Sequence, residues 1–231
     1  MRLSLRKIMD KAKNYALLKE FCLAEGMDLF GVADINAVKS EFHILEETLA
    51  HLDKSICLGV RLSGAILSEI KIEPTKLYFH HYRIVNSFLD QVALKLSNMI
   101  QRKGSAAIAI PATQIIDWEK NTAHLSHRKL GVLAGLGWIG RNNLLVNAEL
   151  GSQFRLVTVL TDMPLTLDQP VNDNCGTCRL CQKACPAQAI YETAQDFDQV
   201  KCFEKLKSFQ RQRQVEQFVC GSCVNVCKGN K

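Results

Sequence analysis

The sequence predicts an α+β protein: an α/β body over residues 1–170, followed by a small cysteine-dense module over residues 171–231. Two observations carry this reading. Helical and strand-like apolar periods alternate through the body. Eight of the ten cysteines lie between Cys175 and Cys227, where the composition changes abruptly. At 231 residues the chain can bury one sizeable core and carry a second small module. With 47% hydrophobic and 23% charged residues it reads as an ordinary folded chain, which excludes disordered and fibrous classes.

The body reads in order as follows. A helix over residues 5–25 stops at Gly26, and "MDLFGVAD" continues as a strand closing in a turn. "SICLGVRL", residues 55–62, is an unbroken apolar run of strand length. In "YRIVNSFLDQVALKLSNMIQRKG", Val85, Phe88, Leu89, Val92, Leu96 and Met99 share one helical face, and Gly104 is the stop. "SAAIAIPA" and "FRLVTVLTD" complete the strands. The pair His80-His81 falls at the start of the long helix, where adjacent side chains diverge, and so is not read as a shared metal site.

Compartment and cysteine usage constrain each other. Arg2, Arg6, Lys7, Lys11 and Lys13 break every apolar run near the N-terminus, so no signal-peptide core can be drawn, and no run approaches a membrane span. The expectation is a cytoplasmic protein with no membrane partner. Disulfides are rare in that compartment, so the cysteines call for metal ligation. Cys22 and Cys57 stand alone in apolar surroundings and read as small buried hydrophobes.

"CGTCRLCQKACPAQAI" sets Cys175, Cys178, Cys181 and Cys185 in C-x2-C-x2-C-x3-C-P, the run of bacterial ferredoxins. In that run three thiolates hold one [4Fe-4S] cube and the fourth turns to another. The second set is Cys202 with Cys220, Cys223 and Cys227 of "CGSCVNVCKGNK". Crossing the ligands in the same way gives one cluster to Cys175, Cys178, Cys181 and Cys227, and the other to Cys185, Cys202, Cys220 and Cys223. The alternative is zinc, which also takes C-x2-C pairs; the third cysteine two residues on and the proline after the fourth favour iron–sulfur. The formal charge is +6, but two clusters of about −2 each leave the loaded protein at about +2. Lys183, Lys201, Lys205, Lys207, Arg211 and Arg213 then offer either a docking face for an acidic electron donor such as flavodoxin or ferredoxin, or simply a solvated helix face.

"AGLGWIGRNN" contains G-x-G-x-x-G at Gly135, Gly137 and Gly140. A dinucleotide fingerprint needs a strand before the first glycine and a helix after the last. Upstream, however, Leu125, Leu130, Leu133 and Leu136 read as a helix ending at Gly135, and downstream lies a short apolar run closed by turn residues. The glycines therefore serve something other than a pyrophosphate.

The segment "LSHRKLGVLAGLGWIGRNNLLVNAELGSQFRLVTVLTDMPL", with the two cysteine stretches, resembles the iron-sulfur and cobalamin-dependent epoxyqueuosine reductases, relatives of the reductive dehalogenases. The resemblance is specific from about residue 125 to 231 and weaker before residue 110, where "AEGMDLFGVAD" and the element order carry it. It implies a nitroreductase-like body holding a corrinoid, fed with electrons by a two-cluster ferredoxin-like module. It also places Gly135, Gly137 and Gly140 with cofactor and cluster packing, where a missing side chain admits close backbone approach.

The chain departs from that family in three places. The family continues past the last cysteine into a helical-repeat domain that grips tRNA, whereas Lys231 follows Cys227 by four residues, so tRNA is expected to be an unlikely partner. The family's proton-donating aspartate lies in D-x-x-P-x-x-E; ungapped counting puts Asn121 there, with Asp117 one helical turn earlier as a substitute that needs a local insertion. Lys228 stands where a proline usually follows the last cysteine. His124 and His127 are further candidates for general acid or for a place over a corrinoid face, with surface or capping roles as the alternative. Trp118 and Trp138 either wall a cofactor pocket or pack the core.

The expected function is an iron–sulfur oxidoreductase passing low-potential electrons through two [4Fe-4S] clusters to a site in the body, for which a corrinoid (cobalamin) is the candidate occupant. The alternatives are a non-enzymatic electron carrier or reductive activator of a partner protein, and a zinc-stabilised nucleic-acid binder. The acceptor, whether small molecule or protein, is not named by the sequence.

Overall fold

The computed structural model describes residues 11–117 and 122–229. In chain order the elements are α1 (Lys11–Ala24), β1 (Leu29–Asp34), α2 (Glu46–Leu49), β2 (Lys54–Arg61), α3 (Gly64–Ser68), α4 (Lys76–Arg102), β3 (Ala107–Ile110) and α5 (His127–Leu133). There follow β4 (Trp138–Ile139), β5 (Leu145–Val146), β6 (Phe154–Thr161), α6 (Leu180–Ala184), α7 (Gln199–Arg211) and α8 (Ser222–Val226). Helices and strands are mixed, as the sequence predicts. The chain divides into two compact units. One gathers the residues up to Val60, Asn86–Leu136 and Leu156–Pro170; the other gathers Arg61–Val85, Gly137–Arg155 and the chain from Val171.

The first unit is built on a four-stranded sheet in the order β1-β2-β6-β3. Strands β1 and β2 pair antiparallel from Leu29↔Gly59 to Asp34↔Lys54, and β3 pairs antiparallel with β6 from Ala107↔Thr161 to Ile110↔Thr158. The central position of β2 explains its unbroken apolar run: its first six residues are all buried, because both faces are covered. Lys54 opens that run and bonds Asp53 at 2.7 Å. Strand β3 stops before Pro111, which has no N–H to extend a ladder. The core is completed by Leu18 and Cys22 of α1 and by Leu89, Val92, Ala93, Leu96 and Ile100 of α4. The Cys22 and Cys57 thiols are pushed up to about 12 by burial, in line with their reading as inert hydrophobes.

The start of the long helix differs from the sequence reading. The long helix begins at Lys76, upstream of its first clear apolar repeat, because Thr75 Oγ1 accepts the Tyr78 N–H at 3.0 Å and caps it. His80 and His81 consequently lie in its second turn. Helix α1 is described only from Lys11, so the expected residues 5–10 lie outside the described part; it ends, as expected, at Gly26, which takes φ +92°.

The second unit is mostly short helices tied by side chains. Helix α6 packs on α8, and α3 packs on α8 as well. Asn225 Nδ2 donates to Ile70 O at 3.0 Å, and Gln153 Nε2 donates to Asn225 O at 2.6 Å and Val224 O at 3.2 Å. These bonds join the segments 61–85 and 137–155 to the cysteine-rich chain. Phe203 and Phe218 meet edge-on at 5.0 Å, and Phe209, Val215 and Val219 are buried around the other end of α7. Among the described residues, no helix is long and apolar enough to cross a membrane.

Candidate metal centre

Helices α6 and α8 are built alike. Each is five residues long, carries a cysteine in its first turn (Cys181, Cys223), and is followed directly by another (Cys185, Cys227). The remaining thiols come from the loop before α6 (Cys175, Cys178), from α7 (Cys202) and from the residue preceding Gly221 (Cys220).

The thiol electrostatics divide these eight into two sets. Cys181 is pushed up to about 11, first by burial and then by Cys227, Cys175 and Cys178. Cys223 is raised by burial and then by Cys220, Cys202 and Cys185, with Cys181 adding least. Cys202 is pushed up to about 11 by burial, then by Cys185 and Cys220. Each first-turn cysteine therefore sits with the cysteine that follows the other helix.

Local bonds shape the loops around these thiols. Cys178 N–H donates to Cys175 O at 3.0 Å, and Gly176 N–H donates to Asn174 Oδ1 at 2.7 Å. The Ala189 N–H donates to Cys185 Sγ at 3.4 Å, and Cys220 Sγ lies 3.2 Å from Ser222 Oγ. Beside the first set is a cavity of about 820 Å³, lined by Cys175, Cys178, Cys227, Trp138, Val146 and Asn225 among others. Among the described residues, no three His, Cys, Asp or Glu side chains gather about a single-ion point. Two thiol quartets, room beside one of them and a backbone N–H directed at a sulfur fit iron–sulfur clusters.

Of the glycine segment, Trp138 lines this cavity. Gly140 approaches so closely that a Cβ there would stand 2.6 Å from Val146 Cγ2 and 3.3 Å from Cys175 Sγ. A Cβ on Gly137 would run into the Val146 carbonyl, and Gly135 takes φ +71° just beyond α5. Next to Gly140, Arg141 donates from Nη1 to Cys178 O at 3.0 Å and from Nη2 to Gly176 O at 2.8 Å. Neither this clamp nor the buried Asn142, bonded to Ser152 Oγ at 3.2 Å, was singled out from the sequence, where "GRNN" reads only as a turn. The three glycines meet protein atoms, so they do not fit as an open wall for a corrinoid.

The candidate proton donors lie in the first unit. His127 opens α5, whose cap Ser126 Oγ accepts the Lys129 N–H at 3.2 Å. Its Nε2 lies 2.9 Å from the Pro111 carbonyl and its Nδ1 2.8 Å from Thr158 Oγ1. A carbonyl only accepts, so Nε2 carries the hydrogen of that bond, while Nδ1 and the Thr158 hydroxyl share the other. Asp117 pairs with Thr122 through an isolated antiparallel bridge. His124 Nδ1 lies 3.1 Å from His43 O. Asn121 and Trp118 lie outside the described residues. Trp138 is buried at 5% exposure in the cavity wall of the second unit, with its Nε1 unpartnered.

No family model matches the chain. A curated epoxyqueuosine reductase of Leadbetterella byssophila is 38% identical over 106 residues, 42% of this chain and 34% of the relative. In fold, the chain resembles the catabolic reductive dehalogenase NpRdhA, with a TM-score of 0.78 and 19% identity over 96% of this chain and 32% of that one. It also resembles an epoxyqueuosine reductase solved with an epoxyqueuosine-modified tRNA stem loop, with a TM-score of 0.64 and 18% identity over 93% of this chain and 64% of that one. The class is thus a mixed α/β fold shared with reductive dehalogenases and epoxyqueuosine reductases. The resemblance read in the sequence to the epoxyqueuosine reductase-like group is borne out. The chain spans about a third of the length of the first curated relatives it matches.

One expectation is overturned. The sequence reading makes tRNA an unlikely partner on the ground that the chain ends soon after Cys227. The relatives are epoxyqueuosine reductases, and one of them is held with a tRNA stem loop, so the position of the last residue carries no argument against tRNA.

Proposed function

We propose that this chain is an oxidoreductase of the epoxyqueuosine reductase type, with a ferredoxin-like module at 171–231 that holds two [4Fe-4S] clusters and a body at 1–170 that holds the electron acceptor. The reading of two crossed quartets is supported by the thiols that act on each first-turn cysteine: Cys227, Cys175 and Cys178 on Cys181, and chiefly Cys220, Cys202 and Cys185 on Cys223. The relatives' names favour a reductase over a simple carrier. Bound clusters supply one-electron relay at low potential.

The chain's own residues do the rest. Helices α6 and α8 present the thiols, and Ala189 N–H donates to one of them. Gly140 admits the glycine loop to the side of Cys175. In the body Asp117, His124 and His127 are the proposed proton donors, because Asn121, at the position of the family's aspartate, carries an amide that cannot give up a proton. For His127 this means giving up its bond to the Pro111 carbonyl, since the Nε2 hydrogen is engaged there. The acceptor proposed for the body is a corrinoid, supported by the likeness to a B12-dependent dehalogenase fold. The proposed substrate class, from the relatives, is a tRNA bearing epoxyqueuosine. An acidic donor such as flavodoxin or ferredoxin and a cytoplasmic setting complete the reading.

Anaerobic purification with metal analysis tests it. About eight iron and eight acid-labile sulfides per chain are expected, with absorbance that bleaches on reduction. Stoichiometric zinc without sulfide rejects the proposal. Cobalamin titration into the same sample tests the acceptor separately.

A further inference from the structure

Arg141 is engaged in a way that the proposed function leaves unexplained. Its two terminal nitrogens bridge the carbonyls of Gly176 and Cys178, at 2.8 and 3.0 Å, within the loop that carries Cys175 and Cys178. Its Nε is buried without a partner. The preceding residue, Gly140, lies against Cys175 Sγ, so the guanidinium is brought to the first thiol quartet by the chain on both sides. The nearby Glu192 carboxylate feels Arg141, but it is held by Arg179 through a bidentate pair at 2.7–3.2 Å. The positive charge of Arg141 therefore rests on backbone carbonyls beside the thiols.

Resting on the two-cluster reading, we propose that Arg141 is a positioning residue that ties the Cys175–Cys178 loop and raises the reduction potential of the cluster held by Cys175, Cys178, Cys181 and Cys227. The physical reason is charge. On taking one electron from a reductant, such a cluster with its four thiolates passes from about −2 to about −3 with no proton taken up. A fixed cation at short range favours the more negative state, although solvent screens part of that preference because Arg141 is half-buried and Gly176 and Cys178 are exposed. Arginine suits the task because its rigid planar fork bonds two carbonyls in a fixed geometry, whereas the ammonium of a lysine sits on a flexible stem.

The test is a dithionite titration of the purified holo-chain, followed by electron paramagnetic resonance, on wild type, Arg141→Gln and Arg141→Lys. In Arg141→Gln one of the two midpoints is expected to fall by about tenfold in the reduced-to-oxidised ratio, about 59 mV for one electron, while the other stays. Arg141→Lys keeps the charge, so its midpoint is expected to stay near wild type while a chelator removes iron faster. If Arg141→Gln loses the first cluster, Arg141→Lys decides alone: a wild-type midpoint supports the proposal, and a tenfold fall overturns it. Unchanged midpoints in Arg141→Gln, or both midpoints moving together, also overturn it. Wild-type protein lacking sulfide rejects the two-cluster reading itself, a result distinct from any of these.

Discussion

Gly140 stands where a side chain has no room, between Val146 Cγ2 and Cys175 Sγ. Gly140→Val should therefore lower the iron content and the stability together, by about 1–3 kcal/mol from overpacking. Iron analysis beside urea unfolding checks this; a variant with full iron and wild-type stability would show that the close approach is not needed. Cys227 tests the crossing of the ligands. Cys227→Ala should reduce iron from about eight to about four per chain or below, by removing a ligand of Cys175, Cys178 and Cys181 and sparing the set around Cys223. Damage confined to the Cys223 set would refute the assignment. The sequence named these cysteines from spacing alone, because ligand spacing is local and chemically specific. It did not name Arg141, because two bonds to carbonyls 35 and 37 residues away leave no trace in the neighbouring letters.

At the scale of elements, α5 is held by the histidine that opens it. His127→Phe would leave the Pro111 carbonyl and the Thr158 hydroxyl without that ring, a cost of about 1–3 kcal/mol. If turnover falls no further than stability explains, His127 is an anchor and not a proton donor. Helix α3 depends on another histidine, since His81 Nε2 accepts the N–H of its cap Ser63 at 3.0 Å. The pKa of His81 is lowered by burial, with His80 contributing. The unfolded chain thus binds the proton more readily than the native one. Stability carried by neutral His81 is full above its unfolded pKa of about 6.5 and declines as pH falls below it toward the lower native value. A urea series across that range should show the decline, and His81→Asn, which can still accept a hydrogen bond, should flatten it. The long helix was legible from its apolar face, whereas its true start was not, because Thr75 caps it ahead of the first clear repeat. A cap is a single local bond, and periodicity does not register it.

For the whole molecule, folding and loading are expected to be coupled. The second unit has short helices and thiols raised by burial, which must lose protons to bind metal. Removing iron anaerobically with a chelator should lower the melting temperature, and the released unit should lose the protection of α6 and α8 to hydrogen exchange first. Equal protection with and without iron would mean that the unit stands on its own packing. Binding of an epoxyqueuosine-bearing tRNA is the corresponding test of substrate. Affinity that survives rising salt and depends on the modified base would support it, whereas binding that collapses steeply with salt for every RNA would be charge attraction alone.

The sequence by itself determined the two kinds of region, a buried strand at 55–62, the long helix, the eight candidate ligands and the family resemblance. Each of these is written in short-range periodicity, composition or spacing, which neighbouring residues encode without reference to the rest of the chain. Only the tertiary structure decided that segments 61–85 and 137–155 group with the cysteine-rich chain, that Gly140 and Arg141 flank the first quartet, and that His127 is already engaged at both ring nitrogens. Those facts depend on which distant segments meet, and contact across tens of residues is set by the packing of the whole core, not by any local pattern.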